Sequence, residues 1–505
     1  MDLLGTSHCS NLPACVKLEA PRHWWDRIGT RELKRHAAKG LMSKSDGTSI
    51  APGQESEWEL ISALSPDDPG RAQRAVVDEW FLDGALDGEA LTRAFRLLTG
   101  RHDALRLRFL SIDFAPRVTV LESDDPPVEF IDASRWQAAR RSQYIEEFYR
   151  QHETRCFDLI RGPLWRAYVI RLYERRHLLV FCIAEIVADG WSAKVFIDDL
   201  LKFYGAEVGL EQQPADSPLS FEQVSRIQER RLTPTPDKLD YWRQRLVPVG
   251  SPPPFASEQT EFAADNTREI AFAIEPEVGK AVRRGAWRLR TTPFVALMGC
   301  YVVALAVTRN EPHAVLHTTT YGRKTIADRH AIGMFTTDSY VSTTCEGDST
   351  LSDCVQSVHV EAGRALAHSL SYTTLARAVN ENFNAQRPWP DHNLFDSTIY
   401  SVAFGDADWT CAGLQVRRVR LSARKRAEEG TPPRVSALAE PTYRAWLAGG
   451  APAAVINIDR NLGALIFNAA AYETTAIETL AKNFNTVVRA FAQSPDTRVG
   501  TLSQR

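Results

Sequence analysis

The chain has 505 residues, of which 44% are hydrophobic and 24% charged, and its formal net charge is −3. This composition is ordinary for a globular protein, and the length indicates two domains or one duplicated unit rather than a single core. The nearly neutral charge balance gives no indication of a nucleic acid or an anionic membrane as a partner.

The first 46 residues are expected to form an appendage. Met1–Asn11 lacks the basic region and apolar run of a signal peptide. The following stretch Arg22–Lys39 is basic and contains Trp24 and Trp25. Two interpretations remain open: a helix that lies on the body of the protein, or a docking segment for an acidic partner.

The eight cysteines are scattered without a CxxC pair. A disulfide framework and a structural zinc site are therefore not expected, and a reducing cytoplasm is the expected location.

The first half of the chain alternates helical and strand patterns. Leu86–Leu98 has helical spacing, and the helix is predicted to end before Gly100. Leu164–Tyr173 and His177–Ala184 are β-rich runs separated by a charged turn, which predicts a hairpin. Ser192–Tyr204 follows with apolar residues on one helical face.

A proline-rich segment, Pro234–Pro254, divides the chain near its middle. The apolar run Phe294–Val307 is shorter than the roughly 20 residues that a spanning helix needs, so it is predicted to be a buried core helix. The remaining predicted elements are the strands Ala314–Thr320, Ser397–Phe404 and Ala453–Asp459 and the helix Thr475–Ala492. Both halves thus mix helices and strands in similar proportion.

Seven short motifs occur in a fixed order along the chain. They are Arg101–Arg106 with Phe109, Phe157–Leu159 with Arg161–Leu164, Ile186–Ser192, Asp240–Trp242, Phe294–Arg323 with its ending Tyr321–Arg323, Ile332–Phe335 and Arg498–Leu502. In order and spacing they resemble the motifs of the condensation domains of non-ribosomal peptide synthetases. The resemblance runs from about Ser49 to the C-terminus.

The resemblance implies an α/β fold of two chloramphenicol-acetyltransferase-like lobes, arranged as a V-shaped pseudo-dimer with a tunnel between them. We expect the lobes at 47–230 and 231–505. A donor on the phosphopantetheine of a separate peptidyl carrier protein would enter one end of the tunnel, and the acceptor the other. No cofactor or metal of the chain's own is expected, and ATP use is not expected because no GxxxxGK loop is present.

One position departs from the family pattern. Aligning Asp189 and Gly190 with the HHxxxDG motif puts Ala184 at the first histidine and Glu185 at the second, which is the catalytic one. A carboxylate, with an ordinary pKa of about 4.3 against about 6.5 for histidine, is a weaker base, although burial would strengthen it. Its charge would favour a cationic acceptor. We therefore hypothesise that Glu185 orients and deprotonates an acceptor amine; the alternative is a structural glutamate in an inactive site.

Four neighbouring roles follow from the resemblance. The family's aspartate forms an ion pair with an arginine, so Asp189 and Arg323 are predicted to support the site structurally. The N–H of Gly190, at a helix start, is a candidate oxyanion donor, or the glycine only permits a tight turn. Trp191 either lines the tunnel or packs in the core, and is counted as a support of the site.

Other residues could replace the lost base. Cys182 lies an odd number of strand residues before Glu185, so it is expected to face the core. His102 belongs to a motif and is expected to be structural. The histidines of the second half that could reach the tunnel are His313, His317, His330, His359, His368 and His392.

The leading hypothesis for function is amide formation between a carrier-bound aminoacyl thioester and a diffusible amine. The freestanding layout and the lost histidine resemble the condensing enzymes of lincosamide antibiotics, whose acceptor is an amino sugar. Two alternatives stay open. One is a non-catalytic domain that recruits a partner enzyme to a carrier-bound substrate, and the other is ester formation or cyclisation on the same scaffold.

Overall fold

The computed structural model describes residues 48–63, 74–112, 115–122, 125–153, 156–246, 267–379, 395–401, 408–418, 451–458 and 461–502. The predicted appendage at 1–46 and His392 lie outside these residues.

The N-terminal lobe is built on a six-stranded sheet, whose strands lie in the order Asp408–Cys411 (β12), Leu414–Arg418 (β13), Ala75–Asp83 (β2), Arg176–Ala184 (β7), Trp165–Tyr173 (β6) and Val128–Asp132 (β5). Its elements in chain order are β1 Thr48–Ser49, α1 Pro52–Ala63, β2 Ala75–Asp83, α2 Gly88–Arg101, β3 Leu107–Ile112, β4 Ala115–Val120, β5 Val128–Asp132, α3 Ala138–Glu153, β6 Trp165–Tyr173, β7 Arg176–Ala184, α4 Gly190–Glu207 and α5 Phe221–Leu232. Short 3-10 turns cover Asp103–Arg106 and Glu185–Val187. The main core lies between one face of the sheet and helices α2 and α4, while α3 packs on the other face.

The C-terminal lobe is built on a second six-stranded sheet in the order β10-β9-β11-β14-β15-β8. Its elements are α6 Pro236–Leu246, β8 Thr267–Ala273, α7 Pro276–Arg288, α8 Pro293–Arg309, β9 His313–Thr320, α9 Ile326–Arg329, β10 Thr337–Thr344, α10 Leu351–Ala367, α11 Tyr372–Val379, β11 Ser397–Ser401, β14 Ala453–Asn457, β15 Leu462–Asn468 and α12 Thr474–Gln493. A 3-10 turn at Val499–Thr501 ends the described part of the chain.

The two faces of the C-terminal sheet are covered differently. Leu316 and Val341 belong to a core shared with α7, α8, α10 and α12. Residues one position away, Val315 and Tyr340, point to the opposite face and join a second core with α6 and α11. This alternation is the ordinary period of a strand. Helix α11 also contacts α1 of the N-terminal lobe, where Arg377 forms an ion pair with Glu59, so this second face is directed toward the other lobe.

A hairpin from the C-terminal half completes the N-terminal sheet. Strands β12 Asp408–Cys411 and β13 Leu414–Arg418 pair with each other, and β13 pairs antiparallel with β2. Arg418 lies beside Asp78, with Nε 2.7 Å from Oδ1 and both side chains buried. The hairpin therefore crosses the predicted boundary between 230 and 231, which itself falls within the last turn of α5.

Most predicted elements occur where their patterns indicated. The hairpin β6–β7 and helices α4, α8 and α12 are confirmed, and the apolar α8 is buried in the core of its lobe. The predicted helix end before Gly100 is wrong, because α2 continues to Arg101 and ends where His102 takes an extended conformation. The first half of the proline-rich segment is helix α6, whose Trp242 is buried and donates its indole N–H to the carbonyl of His368.

No single helix among the described residues is long and apolar enough to cross a membrane. Helices α7 and α8 together reach the necessary length and composition, but they are bent by 103°.

Two glycines on packed helices give a matched test of this core. A Cβ on Gly299 of α8 would lie 2.7 Å from a methyl carbon and 2.9 Å from the Cα of Val355 on α10, whereas one on Gly363 of α10 would meet nothing within 4 Å. We expect Gly299→Ala to lower the free energy of unfolding by about 1–3 kcal/mol through overpacking. Gly363→Ala should raise it by up to about 1 kcal/mol through helix propensity. Urea unfolding followed by circular dichroism measures both, and equal effects would contradict the close approach of α8 and α10.

Candidate active site

The turn that follows β7 carries the candidate catalytic residue and is held from two sides. The amide Nε2 of Gln54, on α1, donates to the carbonyl of Ile186 over 2.9 Å. The backbone N–H of Glu185 donates to the carbonyl of Arg74, just before β2, over 3.1 Å. Gln54 is itself fixed, because its Oε1 accepts from the N–H of Ala51. The backbone at Glu185 is thus determined by α1 and by the start of β2.

Asp189 ends the turn and joins the two lobes. Its Oδ1 accepts from the N–H and the hydroxyl of Ser192 and so caps α4. Its Oδ2 accepts from Nη1 of Arg323 at 2.5 Å and from the N–H groups of Phe335 and Thr336 at 3.0 and 3.2 Å. The ion pair that the resemblance implied is therefore present, with both side chains buried.

Arg323 is satisfied in the same network. Its Nε donates to the carbonyl of Asp328, and its Nη2 donates to the carbonyls of Ala331 and Gly333. The guanidinium also lies over the ring of Phe335, 4.2 Å from the centroid. Every partner in this set is a structural contact, which supports the interpretation that Asp189 and Arg323 hold the shape of the loop.

Glu185 is half-buried and lies near a second ion pair. Nη1 of Arg74 is 2.8 Å from both carboxylate oxygens of Glu57 on α1. Burial lowers the pKa of Arg74, but the charges of Glu57 and Glu185 more than offset it and raise the pKa above its ordinary value. The guanidinium of Arg74 is therefore close enough to both carboxylates to be influenced by the charge of each.

Gly190 is the first residue of α4, directly after the Asp189 cap. The first N–H groups of a helix have no partner within it and carry the positive end of its dipole. The side chain of Asp189 satisfies the N–H of Ser192, two residues further on. The N–H of Gly190 therefore lies at the positive end of α4, beside the turn that carries Glu185.

Trp191 lies between the lobes. Its indole N–H donates to the carbonyl of Arg329 over 2.9 Å, and its ring contacts that of Tyr321 at 5.8 Å between centroids. The side chain is half-buried and also packs against the N-terminal core. It supports the junction of the lobes.

The other candidate bases have partners of their own. Cys182 is 4% exposed and lies in the core, as predicted. His102 is buried, with Nε2 3.0 Å from Oδ2 of Asp199, and burial holds its pKa below the ordinary value. His368 stacks on the ring of Tyr241 at 4.0 Å. The remaining described histidines of the second half pair as His313 with Ser342, His317 with Asp338, His330 with Asp216 and His359 with Thr291.

Sequence reasoning missed Gln54, Glu57 and Arg74. Gln54 and Ile186 are separated by 132 residues, and Arg74 meets Glu57 across 17. No local pattern marks such contacts, since each is created by the packing of α1 against the turn after β7.

Residues 75–405 match the family model of the condensation domain. The chain belongs to the condensation-domain family. Members of this family generally form amide bonds in non-ribosomal peptide biosynthesis. The chain is 26% identical over 435 residues to chondramide synthase cmdD of Chondromyces crocatus. This alignment covers 84% of the chain and 10% of that protein. The chain therefore spans about a tenth of the length of this curated relative.

Solved structures of condensation domains have the same fold. The condensation domain of the monacolin K polyketide synthase MokA superposes with a TM-score of 0.69 at 15% identity, covering 90% of this chain and 99% of that one. The X-domain in complex with OxyB, from teicoplanin biosynthesis, superposes with a TM-score of 0.67 at 18% identity, covering 91% and 96%. These similarities confirm the predicted α/β fold of two chloramphenicol-acetyltransferase-like lobes.

The Asp189 network predicts a large loss of stability on truncation. Asp189→Ala leaves the buried Arg323 without its counter-charge, so we expect the free energy of unfolding to fall by about 3–5 kcal/mol. The control is Glu222→Ala, which breaks an exposed pair with Arg226 and should cost less than about 1 kcal/mol. Chemical denaturation measures both. A loss for Asp189→Ala as small as for the control would contradict the structural role.

Proposed function

We propose that this condensation domain forms an amide bond by transferring an aminoacyl group from a carrier-protein thioester to an amine, with Glu185 as the group that orients and deprotonates the amine. The observation that carries the proposal is the position of Glu185. It takes the place of the family's second histidine, on a turn that Gln54 and Arg74 hold in place.

The local charge supports an amine as the acceptor. The ionised carboxylate of Glu185 attracts an ammonium, which the neutral imidazole of the family pattern would not do. An ammonium loses one proton to water to become the attacking amine, and the nitrogen loses a second proton as the C–N bond forms. A carboxylate beside it accepts that proton, and general-base catalysis of this kind contributes about 10²–10⁴-fold to a rate.

The remaining steps need an anion donor and a leaving group. Attack of the amine nitrogen on the carbonyl carbon forms the C–N bond and places a negative charge on the carbonyl oxygen. In the proposal the N–H of Gly190, at the positive end of α4, stabilises that charge. Collapse of the intermediate breaks the C–S bond, and the phosphopantetheine thiolate leaves on its carrier and takes up the proton that Glu185 removed from the nitrogen. The chain supplies no cofactor in this scheme.

The acceptor is proposed to be a diffusible amine. An amino sugar, as in the lincosamide-type condensing enzymes, is one member of this class and remains a hypothesis. The donor is proposed to arrive on a peptidyl carrier protein, which is how donors reach condensation domains in general. The genes that neighbour this one would name both substrates.

The proposal predicts the effect of removing the carboxylate. With a carrier protein charged with its aminoacyl group and an amine acceptor, Glu185→Gln and Glu185→Ala should each lower kcat by about 10²–10⁴-fold. Glu174→Gln, in the exposed turn between β6 and β7, is the matched control and should keep the wild-type rate. Mass spectrometry of the amide product measures turnover.

Near-normal turnover in both Glu185 variants would rule out the carboxylate as the base. If the wild-type domain binds the charged carrier but yields no amide or ester with any acceptor, the domain recruits a partner enzyme and does not catalyse. An ester product would show that the acceptor group is a hydroxyl and not an amine. Release of a cyclised donor would indicate cyclisation.

The proposed role of Gly190 has a test that leaves the helix intact. Proline is favoured at the first position of a helix and lacks the N–H. Asp189 already has the extended conformation that precedes proline, with φ −127° and ψ 177°. Gly190→Pro should therefore lower kcat by about 10²–10³-fold relative to Gly190→Ala, which keeps the N–H. Equal rates for the two variants would show that this N–H does not bind the oxyanion.

A further inference from the structure

A second carboxylate lies on the face of the C-terminal sheet that is directed toward the other lobe. Asp338 on β10 has its Oδ1 2.8 Å from Nε2 of His317 on β9. His317 is completely buried, whereas the side chain of Asp338 is 26% exposed. Of the two, Asp338 is therefore the group that a substrate can contact.

The histidine fixes the orientation of this carboxylate. Nδ1 of His317 lies 3.3 Å from the hydroxyl of Thr398 and 3.4 Å from that of Tyr400. In the tautomer with the proton on Nε2, the ring donates to Asp338 and Nδ1 accepts from these hydroxyls. Among the described residues no hydrogen bond is made to Oδ2 of Asp338, so this oxygen is available to a ligand.

The surroundings of the pair are aromatic. The His317 ring lies 5.1 Å from that of Tyr340 and 4.8 Å from that of Phe395, between centroids. Burial raises the pKa of both Tyr340 and Tyr372, and the negative charge of Asp338 raises it further. The Tyr340 and Phe395 rings thus surround the histidine that bonds to Asp338, and such apolar surroundings strengthen the attraction of a carboxylate for a cation.

Asp338 lies near the junction of the lobes. Thr336 donates its N–H to Asp189, and Asp338 follows two residues later, about 7 Å along the strand. On the other side, Thr373 follows Tyr372 and donates its N–H to Ser56 of α1. Ser56 immediately precedes Glu57, the residue that pairs with Arg74. The start of the strand that carries Asp338 is therefore bonded to Asp189, the residue that ends the Glu185 turn.

Glu185 and Asp338 cannot both bind the same nitrogen as a cation throughout the reaction. The attacking nitrogen must be neutral, and in the proposed function Glu185 takes its proton. A second carboxylate, oriented by a buried histidine on the opposite lobe, is suited to a group that keeps its positive charge.

We propose that Asp338, positioned by His317, binds a second cationic group of the acceptor, so that the acceptor is a diamine or another amine that remains charged after acylation. This inference rests on the proposed function and specifies its substrate class. Asp338 is a positioning residue here, since it holds the acceptor and takes no part in bond formation.

The experiment compares diamines with length-matched monoamines. The probes are 1,3-diaminopropane, 1,4-diaminobutane and 1,6-diaminohexane against propylamine, butylamine and hexylamine. Binding is followed by the imidazole NMR signal of His317 in protein labelled at histidine, assigned by its loss in His317→Asn. We expect the signal to shift on titration with at least one diamine. The dissociation constant of that diamine should be about tenfold or more below that of the monoamine of equal length, because one charged hydrogen bond contributes about that much to affinity.

Asp338→Asn should abolish this preference. Asp216→Asn is the matched control, because Asp216 pairs with His330 on the surface, and it should keep the preference. A wild-type ratio near one for every pair, or a preference that survives Asp338→Asn, would overturn the inference. The wild-type ratio decides the matter even if Asp338→Asn does not fold, which circular dichroism would reveal.

The result of the diamine experiment can be distinguished from the result of the test for amide formation. Selective diamine binding without any amide product would leave the Asp338 site in place and reject amide synthesis. Amide formation without diamine selectivity would reject the Asp338 site alone.

Discussion

One buried carboxylate, that of Asp189, receives hydrogen bonds from both lobes at once. It caps α4 in the N-terminal lobe through Ser192, and it accepts from Arg323, Phe335 and Thr336 of the C-terminal lobe. A buried charge is costly unless such partners surround it, so the lobes are coupled wherever this network is intact. The turn that carries Glu185 lies directly before this residue, and its geometry therefore depends on the contact between the lobes.

The residue at position 185 differs in charge from the histidine of the family motif. The backbone around Glu185 is held by ordinary contacts, to Gln54 and to Arg74. The alignment with the family motif puts a carboxylate in that frame where the family has an imidazole, beside the ion pair of Arg74 and Glu57. An imidazole can be neutral, whereas an ionised carboxylate carries a negative charge. This difference is the reason for proposing a cationic acceptor.

Local patterns predicted the elements well, and the ordered motifs predicted the fold and the Asp189–Arg323 pair. Periodicity located the hairpin β6–β7 and the buried α8 because both have strong, uninterrupted patterns. It failed at Gly100, where a glycine continues the helix without needing a left-handed conformation. Periodicity could not predict the hydrogen bond from Gln54 to Ile186 or the ion pair of Arg74 with Glu57, since these contacts depend on how α1 packs. The hairpin β12–β13 has short strands, and only tertiary packing assigns it to the N-terminal sheet.

The pairing of the hairpin β12–β13 with the N-terminal sheet has a consequence for folding during synthesis. Asp78 and Arg418 are separated by 340 residues, so the edge of the first lobe stays open on the ribosome until most of the chain has been synthesised. An exposed strand edge of this kind invites pairing with other chains. Long-range closure also slows folding. We therefore expect the nascent protein to depend on chaperones, and truncations before residue 418 to aggregate rather than yield an isolated lobe.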